Sequence, residues 1–126
     1  MTLLVPFDGS ALAEAALDRA VAFSEVFEEP VVVIAVVPKG NKEYARERGW
    51  LEPGESFDTE MIVSRLQEQV AERAPGATFR SERVPRAAHA GSIAREIRRT
   101  ARRVDASIVF VGSDNAGRLV TALSSV

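Results

Sequence analysis

The run Val31-Val32-Val33-Ile34-Ala35-Val36-Val37 constrains the fold more than any other stretch of the chain. All seven residues are apolar, six are β-branched, and Pro30 and Pro38 close the run at either end. A strand with one wet face alternates polar and apolar side chains. A continuously apolar one must be covered on both faces, as in a parallel sheet with helices above and below. At this length it is far below the ~20 residues a membrane-spanning helix needs.

The rest of the chain supplies the elements such a sheet requires. Thr2 to Pro6 is a short apolar run ended by Pro6 and by the turn residues Asp8-Gly9, and it reads as a buried strand. Ser10 is placed to cap a helix over Ala11 to Glu28, with Glu14, Asp18, Glu25 and Glu29 on one face and Leu12, Ala16, Ala20, Phe23 and Phe27 opposite. Lys39 to Ser56 is polar, broken by glycine and proline, and carries a short helix near Asn41 to Arg48. Asp58 to Arg73 reads as the next long helix, with Ile62, Leu66, Val70 and Met61 inward, and Ala74-Pro75-Gly76 stops it. Ala77 to Val84 alternates as a half-exposed edge strand does. Gly91-Ser92 opens a further helix bearing Ile93, Ile97, Ala101 and Val104, and Ser107 to Val111 forms a last strand ending at Gly112.

The order β-α-β-α-β-α-β implies right-handed crossovers and a doubly wound, Rossmann-like parallel α/β sheet. At 126 residues it is one domain, 1–126. Ligands of such sheets bind beyond the carboxyl ends of the strands, where the strand order reverses. Two polar turns follow strands here, Asp8-Gly9-Ser10 and Gly112-Ser113-Asp114-Asn115. If their strands are neighbours, both turns face one crevice.

Composition removes other classes. The formal charge is −2, and 14 of the 16 basic residues are arginine. Arg95, Arg98 and Arg102 share a helix face opposite Ile93, Ile97 and Ala101, the pattern of a solvated face rather than of a nucleic-acid patch. Cysteine is absent, so disulfides, thiolate metal sites and cysteine nucleophiles are excluded. The start of the chain has neither the basic nor the apolar region of a signal peptide, and a cytoplasmic protein with no membrane association is expected. His89, the single histidine, lies among small residues with no triad or metal set around it.

Four segments, taken in order, are together similar to the universal stress protein family. They are Leu3-Leu4-Val5-Pro6-Phe7-Asp8-Gly9-Ser10 with its alanine-rich helix, Val33 to Pro38, Ala90-Gly91-Ser92-Ile93-Ala94-Arg95-Glu96-Ile97, and Asp105-Ala106-Ser107-Ile108-Val109-Phe110-Val111-Gly112-Ser113. The resemblance covers nearly the whole chain and is weakest from Lys39 to Thr59. It implies strand order 3-2-1-4, with the family's last helix and fifth strand absent, so that a sheet edge would lie open. It also implies a stress-response module binding ATP or a related adenine nucleotide through Pro6, Asp8, Val36, Gly112, Ser113, Asn115, Ser124 and Ser125. In that set Asp8 and Val36 hold adenine and ribose, and the loop from Gly112 holds the phosphates.

The family's loop has the form G-x2-G-x9-G-[ST]. Gly112 fills its first place, Asn115 stands at the second glycine, and Ser124-Ser125-Val126 stands one residue early where G-[ST]-V belongs. Glycine in such loops lets backbone N–H groups approach phosphate oxygens, and asparagine tolerates the left-handed backbone better than most residues. Only if the two turns are adjacent could Asp8 and Asp114 share a magnesium ion carried with ATP, and no metal ligand is assigned.

Plainer readings stand beside these. Asp8 is also a good turn residue whose charge suits the start of a helix, worth ~0.3–1 kcal/mol, and the serines are ordinary loop and cap residues. An aspartyl-phosphatase signature D-x-D-G-[TS] fails because its nucleophile position is Pro6, and the loop G-x4-G-K-[ST] is missing. Regulation rather than turnover is therefore expected, with any ATP hydrolysis slow. The alternative is a relative that takes no nucleotide and works as a dimerising interaction module; a homodimer is expected in either case.

Overall fold

The computed structural model describes residues 1–112 in full and residues 119–121 as the backbone of a strand. The elements run β1 (Thr2–Pro6), α1 (Ala11–Phe27), β2 (Val31–Pro38), α2 (Lys42–Glu47), α3 (Thr59–Arg73), β3 (Thr78–Val84), α4 (Ala90–Arg103), β4 (Ala106–Phe110) and β5 (Leu119–Thr121). They form one five-stranded sheet in the order β3-β2-β1-β4-β5. The first four strands are parallel, in the order 3-2-1-4 that the family resemblance implies. An open edge beyond β4 is not what forms. β5 pairs antiparallel with β4, Val109 opposite Val120, and occupies that edge with a short return strand. An antiparallel neighbour needs no crossover helix, so three residues suffice.

β2 lies between β1 and β3, and Val33, Ile34, Ala35 and Val37 are fully buried or nearly so. Burial of a valine or isoleucine stabilises by ~1.5–3 kcal/mol. Val33, Ala35 and Val37 face α1 and α3, where they join Leu3, Val5, Ala16, Leu17, Ile62, Leu66 and Val70. Ile34 and Val36 face the other way and meet Leu4, Val84 and Ala106 beneath Ile93, Ile97, Ala101 and Val104 of α4.

α1 begins as expected, with Ser10 Oγ accepting from the Ala13 N–H. Its inward stripe is Ala13, Ala16, Leu17 and Ala20, whereas Leu12 is 38% and Phe27 59% exposed. The helix is rotated about one residue from the face the aromatic and leucine positions suggest. Alanines on that stripe let its axis come close to the sheet, and Gly112 lies against the backbone of Leu12 and Ala13. Phe23 is retained inward, its ring 5.7 Å from that of Phe110. Met61, expected inward on α3, is exposed, and the stripe there is Ile62, Leu66 and Val70.

The segment between β2 and α3 is docked rather than loose. Asn41 caps α2 through the Tyr44 N–H and also donates Nδ2 to the Arg86 carbonyl at 3.0 Å. Ala45, Trp50 and Leu51 are buried in the α1/α3 core. On α4, Arg95, Arg98, Arg99, Arg102 and Arg103 are all exposed. Arg99 lies 3.4 Å from Glu96, and Arg103 lies 3.7 Å from Glu82 on β3.

Candidate functional site

The turn from β1 into α1 is held from three directions. Asp8 Oδ1 accepts from the Ser10 N–H at 3.0 Å, the side-chain-to-backbone closure that aspartate makes in tight turns. Gly9 has φ +82°, a conformation other residues adopt with strain, and a Cβ there would lie 3.1 Å from Leu66 Cδ2 and 3.2 Å from Gln69 Oε1. Gln69 Nε2 donates to the Gly9 carbonyl at 3.0 Å and to Glu14 Oε2 at 2.7 Å. The Gln69 hydrogen bond, followed by Arg73, holds the Glu14 carboxyl below its usual range although burial opposes it. Trp50 Nε1, from the segment after α2, donates to the Asp8 carbonyl at 2.7 Å. Both carbonyls of the turn are thus engaged, and the Asp8 carboxylate is held in one direction.

That carboxylate remains accessible, its side chain 42% exposed. Its second oxygen, Oδ2, faces Arg48 Nε at 3.9 Å. The Arg48 guanidinium carbon lies 3.5 Å from the centre of the Tyr44 ring, and the Tyr44 and Trp50 rings are 5.5 Å apart. A cation over an aromatic face is attracted by the ring quadrupole. Burial pushes the Tyr44 hydroxyl above its ordinary value, and the Arg48 charge opposes that rise.

Register places the other candidates. β1 pairs with β2 up to Pro6↔Ile34, and the Phe7 N–H still donates to the Ile34 carbonyl, so the Asp8 turn leaves β1 while β2 continues through Val36 to Pro38. β1 pairs with β4 as far as Leu4↔Val109, and Gly112 follows two residues beyond the end of β4. A Cβ on Gly112 would lie 2.6 Å from the Leu12 carbonyl carbon and 2.7 Å from the Ala13 nitrogen. The β4 end therefore abuts the first turn of α1. Pro6, Asp8, Val36 and Gly112 accordingly gather at the carboxyl ends of three adjacent parallel strands, β2, β1 and β4. The Val36 side chain is buried toward α4, on the sheet face opposite the one that carries Trp50 and Gln69. Ser113, Asn115, Ser124 and Ser125 lie outside the described residues, as does Asp114.

Tyr44, Arg48, Trp50 and Gln69 were not among the residues singled out in the sequence. Tyr44 and Arg48 had a usable signal, since positions four apart on a helix share a face. Gln69 had none, because its partner is a backbone carbonyl sixty residues away.

A second concavity of about 210 Å³ lies between the Gly49–Glu52 stretch and α3, lined by Trp50, Ile62, Arg65, Leu66 and Gln69 among others. None of the nucleotide-binding residues expected from the sequence lines it, although Ile62 and Leu66 were expected inward. Arg65 is clamped beside it by both oxygens of Glu55, at 3.1 and 2.7 Å, and donates to the Trp50 carbonyl at 3.2 Å. Among the described residues, no group of three or more histidine, aspartate or glutamate side chains is arranged to hold a metal ion. His89 caps α4, its Nδ1 accepting from the Gly91 N–H at 3.1 Å. No helix among the described residues is long and apolar enough to cross a membrane.

With this geometry in hand, comparison with known proteins is informative. The family model described as "Universal stress protein family" matches residues 1–126. No curated protein matches the sequence. Among solved structures, the chain is similar to a protein of the universal stress protein family from Burkholderia pseudomallei, with 23% identity and a TM-score of 0.53 over 91% of this chain and 83% of that one. It is also similar to a universal stress protein in complex with cAMP, with 18% identity and a TM-score of 0.55 over 86% of this chain and 73% of that one. At these identities the structural likeness speaks to the fold.

Proposed function

The chain belongs to the universal stress protein family, and from that premise we propose that it is a regulatory module that binds ATP or a related adenine nucleotide at the Asp8 turn. The observation that carries this reading is the gathering of Pro6, Asp8, Val36 and Gly112 at the carboxyl ends of β2, β1 and β4, the crevice where doubly wound sheets take ligands. A relative of the same fold is in complex with cAMP, which favours an adenine nucleotide as the ligand class.

In this reading Asp8 Oδ2 accepts from the ribose, and the backbone from Gly112 onward, through Ser113, Asn115, Ser124 and Ser125, meets the phosphates. The protein acts by binding rather than turnover, since the position a phosphoryl-accepting aspartate would need is Pro6. We place it in the cytoplasm, as a homodimer.

Calorimetry or a thermal-shift titration with ATP, with and without magnesium, tests the reading. ATP at about 100 Kd should stabilise the fold by ~2.7 kcal/mol, and Asp8→Ala should remove most of that gain. No shift at millimolar ATP would leave the alternative, a family member that takes no nucleotide and acts through protein contacts. The departures from glycine at Asn115 and Ser124 favour that alternative.

A further inference from the structure

We infer that Arg48 is a specificity-determining residue of the same site, reading a ligand hydroxyl jointly with Asp8. The inference rests on the nucleotide reading above and identifies which part of the ligand the docked segment after β2 recognises.

Arg48 Nε is buried and has no hydrogen-bond partner among the described residues, an unusual state for a guanidinium N–H. It lies 3.9 Å from Asp8 Oδ2, beyond hydrogen-bond distance. The guanidinium cannot easily close the gap. Its central carbon lies 3.5 Å from the centre of the Tyr44 ring, and its Nη1 lies 4.0 Å from Glu47 Oε1. Asp8 is held equally firmly, by the Ser10 N–H on its carboxylate and by Trp50 on its carbonyl. A donor and an acceptor are therefore fixed face to face, slightly too far apart to satisfy each other.

A single oxygen about 2.8 Å from each would span that separation. The chemistry selects which oxygen. A phosphate oxygen only accepts, so it would suit Arg48 and be repelled by Asp8. An ammonium group only donates, so it would suit Asp8 and be repelled by Arg48. A hydroxyl accepts from Arg48 Nε and donates to Asp8 Oδ2 at the same time. In an adenine nucleotide the hydroxyls are those of the ribose, so Arg48 confers preference for the ribose over deoxyribose analogues. A site built to bond a hydroxyl rejects the analogue that lacks it, because the buried Arg48 Nε is then left unpaired.

The test is calorimetric titration of the intact chain with ATP, 2′-deoxy-ATP and 3′-deoxy-ATP. The wild type should bind ATP at least about tenfold tighter than one of the two deoxy analogues, equivalent to ~1.4 kcal/mol. Arg48→Met keeps the stem over Tyr44 but removes the donor, and it should bind ATP and that analogue equally. Arg48→Lys keeps the charge but lacks Nε, and should lose the preference as well. Emission from Trp50, the only tryptophan, checks that the segment stays docked in each variant. If either variant keeps the wild-type ratio, or if Arg48→Met binds ATP more tightly, the inference is overturned; in the latter case Arg48 merely competes for Asp8. If the wild type binds none of the three, the nucleotide reading itself falls and takes this inference with it.

Discussion

On the α1/α3 face of the sheet, Leu3, Val5, Val33 and Val37 meet Leu17, Ile62 and Val70, and all of them are buried almost completely. On the α4 face, Leu4, Ile34, Val36, Val84 and Ala106 form the buried apolar cluster among the described residues, and Ile93, Ile97, Ala101 and Val104 cover them while remaining half-buried. Thr100 is the residue of α4 that is fully buried. The two faces share strands, so the difference comes from the helices. The first face is closed by two long helices and by Trp50 and Leu51, the second by one helix whose other face is arginine-rich. Every group that fixes the Asp8 turn, Gln69 and Trp50 included, comes from the better-packed face. The α4 face buries the Val36 side chain.

Core truncation should expose this asymmetry most strongly. Leu17→Ala removes a fully buried side chain and should destabilise by ~2–5 kcal/mol in urea denaturation. Ile97→Ala, on the half-buried side of α4, loses less transfer free energy and should cost ~1 kcal/mol. Equal losses would mean that the α4 face is as tightly closed as the other.

Gly112 is the next most sensitive point, and it lies where α1 meets the end of β4. Its expected role was close approach to phosphate, but the nearest atoms to a Cβ there are backbone atoms of Leu12 and Ala13. Gly112→Ala would therefore force helix and strand apart with no ligand present. Such overpacking costs ~1–3 kcal/mol. Gly76→Ala is the matched control, since a Cβ there meets nothing within 4 Å. If thermal unfolding of ligand-free Gly112→Ala matches that of the control, the close approach to α1 is not a packing constraint.

The parts of this arrangement that were legible in the sequence are those encoded by local patterns. The unbroken apolar run of β2 required cover on two faces, and the Asp-Gly-Ser turn announced a strand-to-helix junction. What was not legible depends on distant partners. The rotation of α1 exposes Leu12, and the close approach to the α1 backbone is made by a glycine a hundred residues away. The return strand beside β4 has only three residues, too few to carry a periodicity. Lys39 to Ser56 is polar and punctuated, so it read as irregular, yet Trp50 and Asn41 dock it onto Asp8 and Arg86. The candidate site was half legible for the same reason: Asp8 belongs to a turn motif, whereas Arg48 belongs to the site only through its place in space.

The smallest effect concerns the clamp that ties this docked segment to α3. Hydrogen bonding from Arg65, and then from the Glu52 N–H, lowers the Glu55 carboxyl from its ordinary 4.5 to about 2. A carboxyl held lower in the folded state than in the unfolded one stabilises the fold at all pH values above its unfolded value. That contribution is lost as the pH falls through the folded value. The window here runs from about pH 4.5 down to about pH 2. Arg65 also donates to the Trp50 carbonyl, so Trp50 emission reports on the clamp. Glu55→Gln should unfold at a slightly lower temperature than the wild type near neutral pH. Because the pair is exposed, that gap should be small. It should narrow as the pH drops below about 4.5 and vanish near 2, where the wild-type carboxyl is itself protonated. A gap that stays constant down to pH 2 would mean that the charge of Glu55 does not hold the segment in place, and that docking rests on the buried Ala45, Trp50 and Leu51 and on the Asn41 bond.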